Sequence, residues 1–177
     1  MEYEEVISFW FEEIEPKQMW VKDDKFDDLL RDKFLEVHGQ IIVGEKFSWR
    51  ATPVGRLAEI IVIDQFSRNM FRGDPRSFAY DPIGLILAQE TVKSGDDQKI
   101  TKEMRSFLYM PYMHSESLVV HAQGRKLFEA LGSSLDYMDK HSAIIEKWGR
   151  YPHRNDVVGR ESTPEEIEFL KGPGSSF

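Results

Sequence analysis

The stretch Pro53-Val54-Gly55-Arg56-Leu57-Ala58-Glu59-Ile60-Ile61-Val62-Ile63-Asp64-Gln65-Phe66-Ser67-Arg68-Asn69-Met70 decides the fold. Pro53 fits the first position of a helix, where its missing N–H would have no partner anyway. From there the helix is expected to run to about residue 70. Ile60-Ile61-Val62-Ile63 puts apolar side chains on every side, so the helix should be buried all round. Its end is a polar knot, Asp64-Gln65-Phe66-Ser67-Arg68-Asn69. Asp64 and Arg68 stand four apart, on the stripe begun by Leu57 and Ile61, and so face the same way.

Helical periodicity extends outward in both directions. Upstream, Tyr3, Val6, Ile7, Trp10 and Ile14 share one side of a helix over residues 2–13. Phe26, Leu30, Phe34, Val37 and Ile41 form a stripe over 24–43, with Gly44 as a stop. Downstream, Asp81-Pro82 reads as an N-cap and first turn of a helix that Gly95 closes. A shorter helix over 101–109 is expected to stop at Pro111. Helices over 114–131 and 135–148 end at Gly132 and Gly149. Thr163-Pro164-Glu165-Glu166 is a capping box, and Lys171-Gly172-Pro173 is a stop. No segment alternates with period two long enough to be a strand. About eight helices in antiparallel hairpins, in a single all-α domain spanning 1–177 with a short tail over 172–177, are therefore predicted.

Composition narrows the function classes. The net charge of −8 argues against nucleic acid, whose backbone needs a basic face. Residues 1–50 hold 13 acidic and 7 basic residues, so most of that charge lies there and the later part is free to host a basic patch. The chain has no cysteine, which removes disulfides, thiolate metal sites and thiol nucleophiles together. The acidic start Met1-Glu2-Tyr3-Glu4-Glu5 lacks the basic, apolar pattern of a signal peptide. The run Ile60–Ile63 falls far short of the roughly 20 residues that cross a bilayer. A cytoplasmic protein with no membrane partner, metal or cofactor is expected.

Three polar constellations carry the candidate chemistry. In the first, Asp64 would orient Arg68, with Asn69 and Arg72 beside it; the rigid fork of an arginine suits a carboxylate or phosphate. The second is His114-Ser115-Glu116, read as a helix start, in which His114 could serve as a general base. His114 and Glu116 are two apart and do not share a helix face. The third is Gly149-Arg150-Tyr151-Pro152-His153-Arg154-Asn155, a loop that packs Arg150, His153, Arg154 and Asn155 around a proline, with Arg160 shortly after. Trp10 and Trp20 would add apolar contact. Each set also has a structural reading, as ion pairs and loop staples that serve only the fold. The five histidines show no metal-ligand spacing and the glycines form no phosphate loop.

These segments together are similar to an uncharacterised bacterial family, domain of unknown function 924. The resemblance spans nearly the whole chain. It rests on Ser8-Phe9-Trp10-Phe11, on Trp20 with Lys22-Asp23, on Asp64 to Asn69, on Phe107-Leu108-Tyr109-Met110-Pro111, on His114-Ser115-Glu116, on Gly149 to Asn155, and on the tail Gly172-Pro173-Gly174-Ser175-Ser176-Phe177. Ser67 stands where the family pattern usually has proline, so a softer kink is expected there. The resemblance implies a tetratricopeptide-like stack of helical hairpins, a right-handed superhelix, and no activity.

Two functional readings follow beside the structural one. A binding module would clamp a small anion or a peptide C-terminus with Arg68, Arg72, Arg150 and Arg154, and the tail would fold back on the body. An enzyme would act on a small carboxylate or phosphate, with His153 or His114 as acid or base and Glu116 or Asp64 orienting it.

Overall fold

The computed structural model describes residues 1–176 and is helical; among the described residues there is no strand. Helix α1 (Tyr3–Ser8) runs into a π-helical turn, Phe9–Glu13, and α2 spans Asp24–Ile42. The decisive stretch forms one rod: α3 (Pro53–Ile60), a π-helical segment (Ile61–Phe66) and α4 (Ser67–Met70). Then come α5 (Asp81–Lys93), α6 (Lys102–His114), α7 (Leu118–Leu131), α8 (Leu135–Trp148) and α9 (Pro164–Leu170).

The rod is central because its sequence leaves it no polar face to show. Leu57 and Ile60 to Ile63 are wholly buried, and α1, α2, α5 and α6 pack around the rod. Thr52 starts it, its hydroxyl accepting from the Gly55 N–H at 3.0 Å. Aromatic rings lock α1 and α2 onto it. Phe66 meets Phe34 at 4.7 Å and Trp10 at 5.3 Å between centroids, and Phe9 meets Phe34 at 4.9 Å. In the second half each helix packs on the one before it, α6 on α5, α7 on α6 and α8 on α7, as short connections dictate. The 3₁₀ turn Pro152–Arg154 and α9 then close one end.

Three local expectations are corrected. Pro111 does not stop α6; the helix continues to His114. A proline inside a helix costs roughly 3 kcal/mol, and here burial of Phe107, Leu108, Tyr109, Tyr112 and Met113 outweighs it. The Pro111 ring also faces Gly84 of α5, where a side chain would meet its Cγ at 3.9 Å. His114 therefore ends α6 instead of starting α7. Asp81 is the first residue of α5, not its cap, and its carboxylate is used elsewhere.

The rod also departs from a regular helix just before Ser67. The Ser67 hydroxyl donates to the Val62 carbonyl, five residues back, at 3.3 Å, and lies 3.0 Å from Nε2 of His38. The irregularity takes the form of the π-helical segment, and that segment carries Asp64. π-Helical turns are frequent at functional sites.

Candidate functional site

A cavity of about 690 Å³ opens between the end of the rod, the end of α6, α8, the loop holding Met19 to Lys22, and the turn after Tyr151. Its chemistry starts behind the wall, at Asp64. This carboxylate is almost wholly buried. Oδ1 lies 2.7 Å from Nδ1 of His114 and 3.3 Å from Nη1 of Arg68. Burial alone would raise the Asp64 carboxyl, but Arg68 and His114 overcome it and hold it well below the usual carboxylate range. An ionised carboxylate can only accept, so Nδ1 of His114 carries the hydrogen and Nε2 is the free acceptor. Nε2 has no protein partner among the described residues. Burial pushes His114 below its ordinary value; Asp64 opposes this and Arg68 adds to it.

Asp81 joins two guanidinium groups. Arg68 reaches its two oxygens at 3.1 and 3.0 Å, and Arg154 reaches one at 3.2 Å. Arg154 also donates to the His114 carbonyl at 3.0 Å. Its guanidinium lies over the rings of both Phe78, at 4.5 Å, and Tyr151, at 4.7 Å. Tyr151 is fixed in turn, its hydroxyl donating to the Met113 carbonyl at 2.5 Å. His141, pushed down to about 3, and His153, pushed down to about 4, complete the polar wall; burial is the main cause in both.

The charge of that wall is one-sided. The described residues that line the cavity include Lys22, Arg68, Arg72 and Arg154 and the three histidines, and no aspartate or glutamate. The carboxylates that balance the arginines sit behind them. Apolar surface comes from Met19, Trp20, Met110, Met113, Phe78 and Phe128.

Of the residues expected from the sequence, Asp64, Arg68, His114, His153 and Arg154 come together here. Asn69 and Arg72 also line the cavity, held on Asp27 at 2.8 and 2.7 Å. Trp20 stands at the lip, 63% exposed and stacked on Phe107. Trp10 lies in the core, fully buried. Glu116, Arg150 and Asn155 fall outside the wall; Glu116 fastens the 149–166 segment to the body, and Arg150 and Asn155 brace that segment internally. Glu116 accepts from the Tyr151 N–H at 2.7 Å and pairs with Arg160. Arg150 grips Glu166 with two bonds of 2.7 Å, and Asn155 bonds Ser162 and Glu166. The orienter of His114 is thus Asp64, fifty residues away, and not Glu116.

The tail does return to the body. Ser175 is buried, its hydroxyl donating to the carbonyls of Leu170 and Gly172, and its backbone bonds His153. The terminal carboxylate expected at Phe177 lies outside the described residues.

The sequence reading missed Asp81, Tyr151, Phe78 and the methionines. Asp81-Pro82 has the form of a helix start, and no local signal marks a carboxylate that serves two arginines 13 residues before it and 73 after it. Among the described residues there is no group of three or more histidines and acids that could hold a metal ion, and no helix long and apolar enough to cross a membrane.

Among curated proteins nothing matches the chain. A solved structure of a protein of unknown function from Agrobacterium tumefaciens is similar over 96% of this chain and 97% of its own, at 33% identity and a TM-score of 0.91. The model of the bacterial proteins of unknown function called DUF924 matches residues 6–174, and the chain belongs to that family.

Proposed function

We propose that the cavity binds a small molecule with an anionic head, a carboxylate or phosphate, and an apolar body. One observation carries this reading: in a protein of net charge −8, the described residues of the cavity wall present four cationic side chains and three histidines and no aspartate or glutamate. Paired carboxylates behind the arginines hold the forks in place, so an incoming anion meets preorganised donors. The cavity volume is that of a small-ligand site. The apolar body would lie on Trp20, Met110 and Phe78. Stacked hairpins of the tetratricopeptide kind also take peptide C-termini, which offer the same head group.

Thermal shift with phenylacetate, phenyl phosphate and the neutral phenylacetamide tests the reading. At ten times Kd a ligand adds about 1.4 kcal/mol of stability, which raises the midpoint by roughly 3–6 °C in a chain of this size. The two anions should do so and the amide should not. Lys22→Glu, at the exposed rim, should weaken both anions without changing the unliganded midpoint. Equal shifts from acid and amide would refute the proposal. Binding confined to tetrapeptides with a free C-terminus, and lost on amidation, would assign the site to peptides instead.

A second reading is supported by the Asp64–His114 pair itself. A histidine oriented through Nδ1 by a buried carboxylate, with Nε2 unpartnered among the described residues at a cavity wall, is the geometry of a general base. Turnover of an anionic ester or phosphate that disappears in His114→Asn would favour it, and equal turnover in that variant would eliminate it.

A further inference from the structure

We infer that anion and proton enter this cavity together: a carboxylate docking beside Arg68 drives a proton onto Nε2 of His114. This rests on the anion-binding reading and adds the charge state of the bound form.

The groups that surround His114 come from each element packed there. The rod supplies Asp64 and Arg68, and α5 supplies Asp81. Helix α7 supplies His121, and α8 supplies His141, whose ring lies 6.1 Å from that of His114. The turn after α8 supplies Tyr151, His153 and Arg154. The fixed charges close: Arg68 and Arg154 stand against Asp64 and Asp81. Burial keeps His114, His121, His141 and His153 below their ordinary values. Among the described residues, the buried set around His114 is therefore neutral while its histidines are unprotonated.

A bound carboxylate adds one uncompensated negative charge to that neutral set. Arg72 is already held by Asp27, and Lys22 stands exposed at the rim, where water screens it. His114 is the group built to answer. Its Nδ1 gives a hydrogen to Asp64, so an imidazolium there would already have its carboxylate. Protonation turns Nε2 from an acceptor into a charged donor facing the anion. His153 is the poorer candidate, because the charges felt most strongly by its ring are the cations Arg154 and Arg68.

The sign follows. Binding raises the proton affinity of His114, so binding is strongest below the free-state titration point of His114. It weakens as pH rises through the higher bound-state point. One linked proton gives up to tenfold in affinity per pH unit between those points.

Phenylacetate is the probe, because its own carboxyl is ionised throughout pH 6–8 and every proton counted belongs to the protein. Titration calorimetry at pH 7 in two buffers of different ionisation enthalpy counts the protons taken up. Uptake approaching one proton per ligand is expected, with affinity rising as pH falls from 8 to 6. His114→Asn keeps a donor for Asp64 but cannot titrate; it should bind more weakly, with no uptake and no pH dependence. Nitrogen NMR of the wild-type histidines gives a second readout, since Nε2 of His114 should gain its proton only when phenylacetate is present. Binding without uptake, or uptake that survives in His114→Asn, overturns this inference and leaves the anion site standing. No binding of phenylacetate or phenyl phosphate overturns the anion-binding reading, and this inference with it.

Discussion

At the scale of single residues, the site is a set of buried charges that hold each other. Asp81 is the clearest case, since two guanidinium groups converge on it and one belongs to Arg154, only 8% exposed. Removing one partner of a buried ionic group leaves an uncompensated charge and costs about 3–5 kcal/mol. Asp81→Asn should therefore lower the melting midpoint by roughly 6–20 °C, with the fold retained at low temperature by circular dichroism. A change under 2 °C would mean that the two arginines are well solvated and that the cluster is looser than its distances imply. The same residue shows where the sequence ceases to inform. Asp64 and Arg68 are four apart on one stripe, so their pairing is legible. His114 meets Asp64 across fifty residues and Asp81 meets Arg154 across 73, and such contacts leave no mark in a local pattern. The sequence offers Glu116 or Asp64 as the orienter of His114 without deciding between them; Arg160 and the Tyr151 N–H claim Glu116, and Asp64 reaches the ring.

At the scale of elements, periodicity and caps carried most of the outline. The buried rod, the stops at Gly132 and Gly149 and the capping box at Thr163 all read correctly from residue type. Pro111 did not, because its cost is local and its compensation is tertiary. Six buried residues of α6, packed by α3, α5 and α7, keep the helix intact and so place His114 at the cavity. The α6–α7 contact is close enough to test. A Cβ on Gly124 would lie 2.7 Å from Cβ of Tyr112 and 3.4 Å from Sδ of Met138. Alanine normally stabilises a helix by about 1 kcal/mol over glycine. Here two backbones would have to separate, so Gly124→Ala should instead destabilise by about 1–3 kcal/mol. Urea unfolding checks this; a gain in stability would show that α6 and α7 pack less closely than described.

At the scale of the whole molecule, all five histidines are buried or half-buried and all are held below their ordinary value, His38 and His153 to about 4 and His141 to about 3, chiefly by burial. In the unfolded chain they take up protons near pH 6.5. Between there and about pH 4 the unfolded state binds more protons than the folded one, so stability must fall as pH falls through that window. The slope can reach about 1.4 kcal/mol per pH unit for each histidine that stays neutral. Urea denaturation at pH 7, 6, 5 and 4.5 should show steep loss; a flat profile would mean the rings are accessible to water. Asp64 and Glu166, both held below the usual carboxylate range, lose their contribution in more acidic solution still. The overall charge gives a further contrast: the first 50 residues carry most of the negative balance, while the cavity wall is cationic. Among the described residues, this net anionic protein keeps acids off one cavity wall, which sets the local field there against that of the whole molecule. The most direct measurement is calorimetric titration of phenylacetate and phenylacetamide at 50 and 300 mM salt, because the pair differs only in the charge of the head group. The acid should bind about tenfold or more tighter than the amide, a difference of about 1.4 kcal/mol, and the gap should narrow at high salt. Equal affinities at both salt concentrations would contradict an anion site.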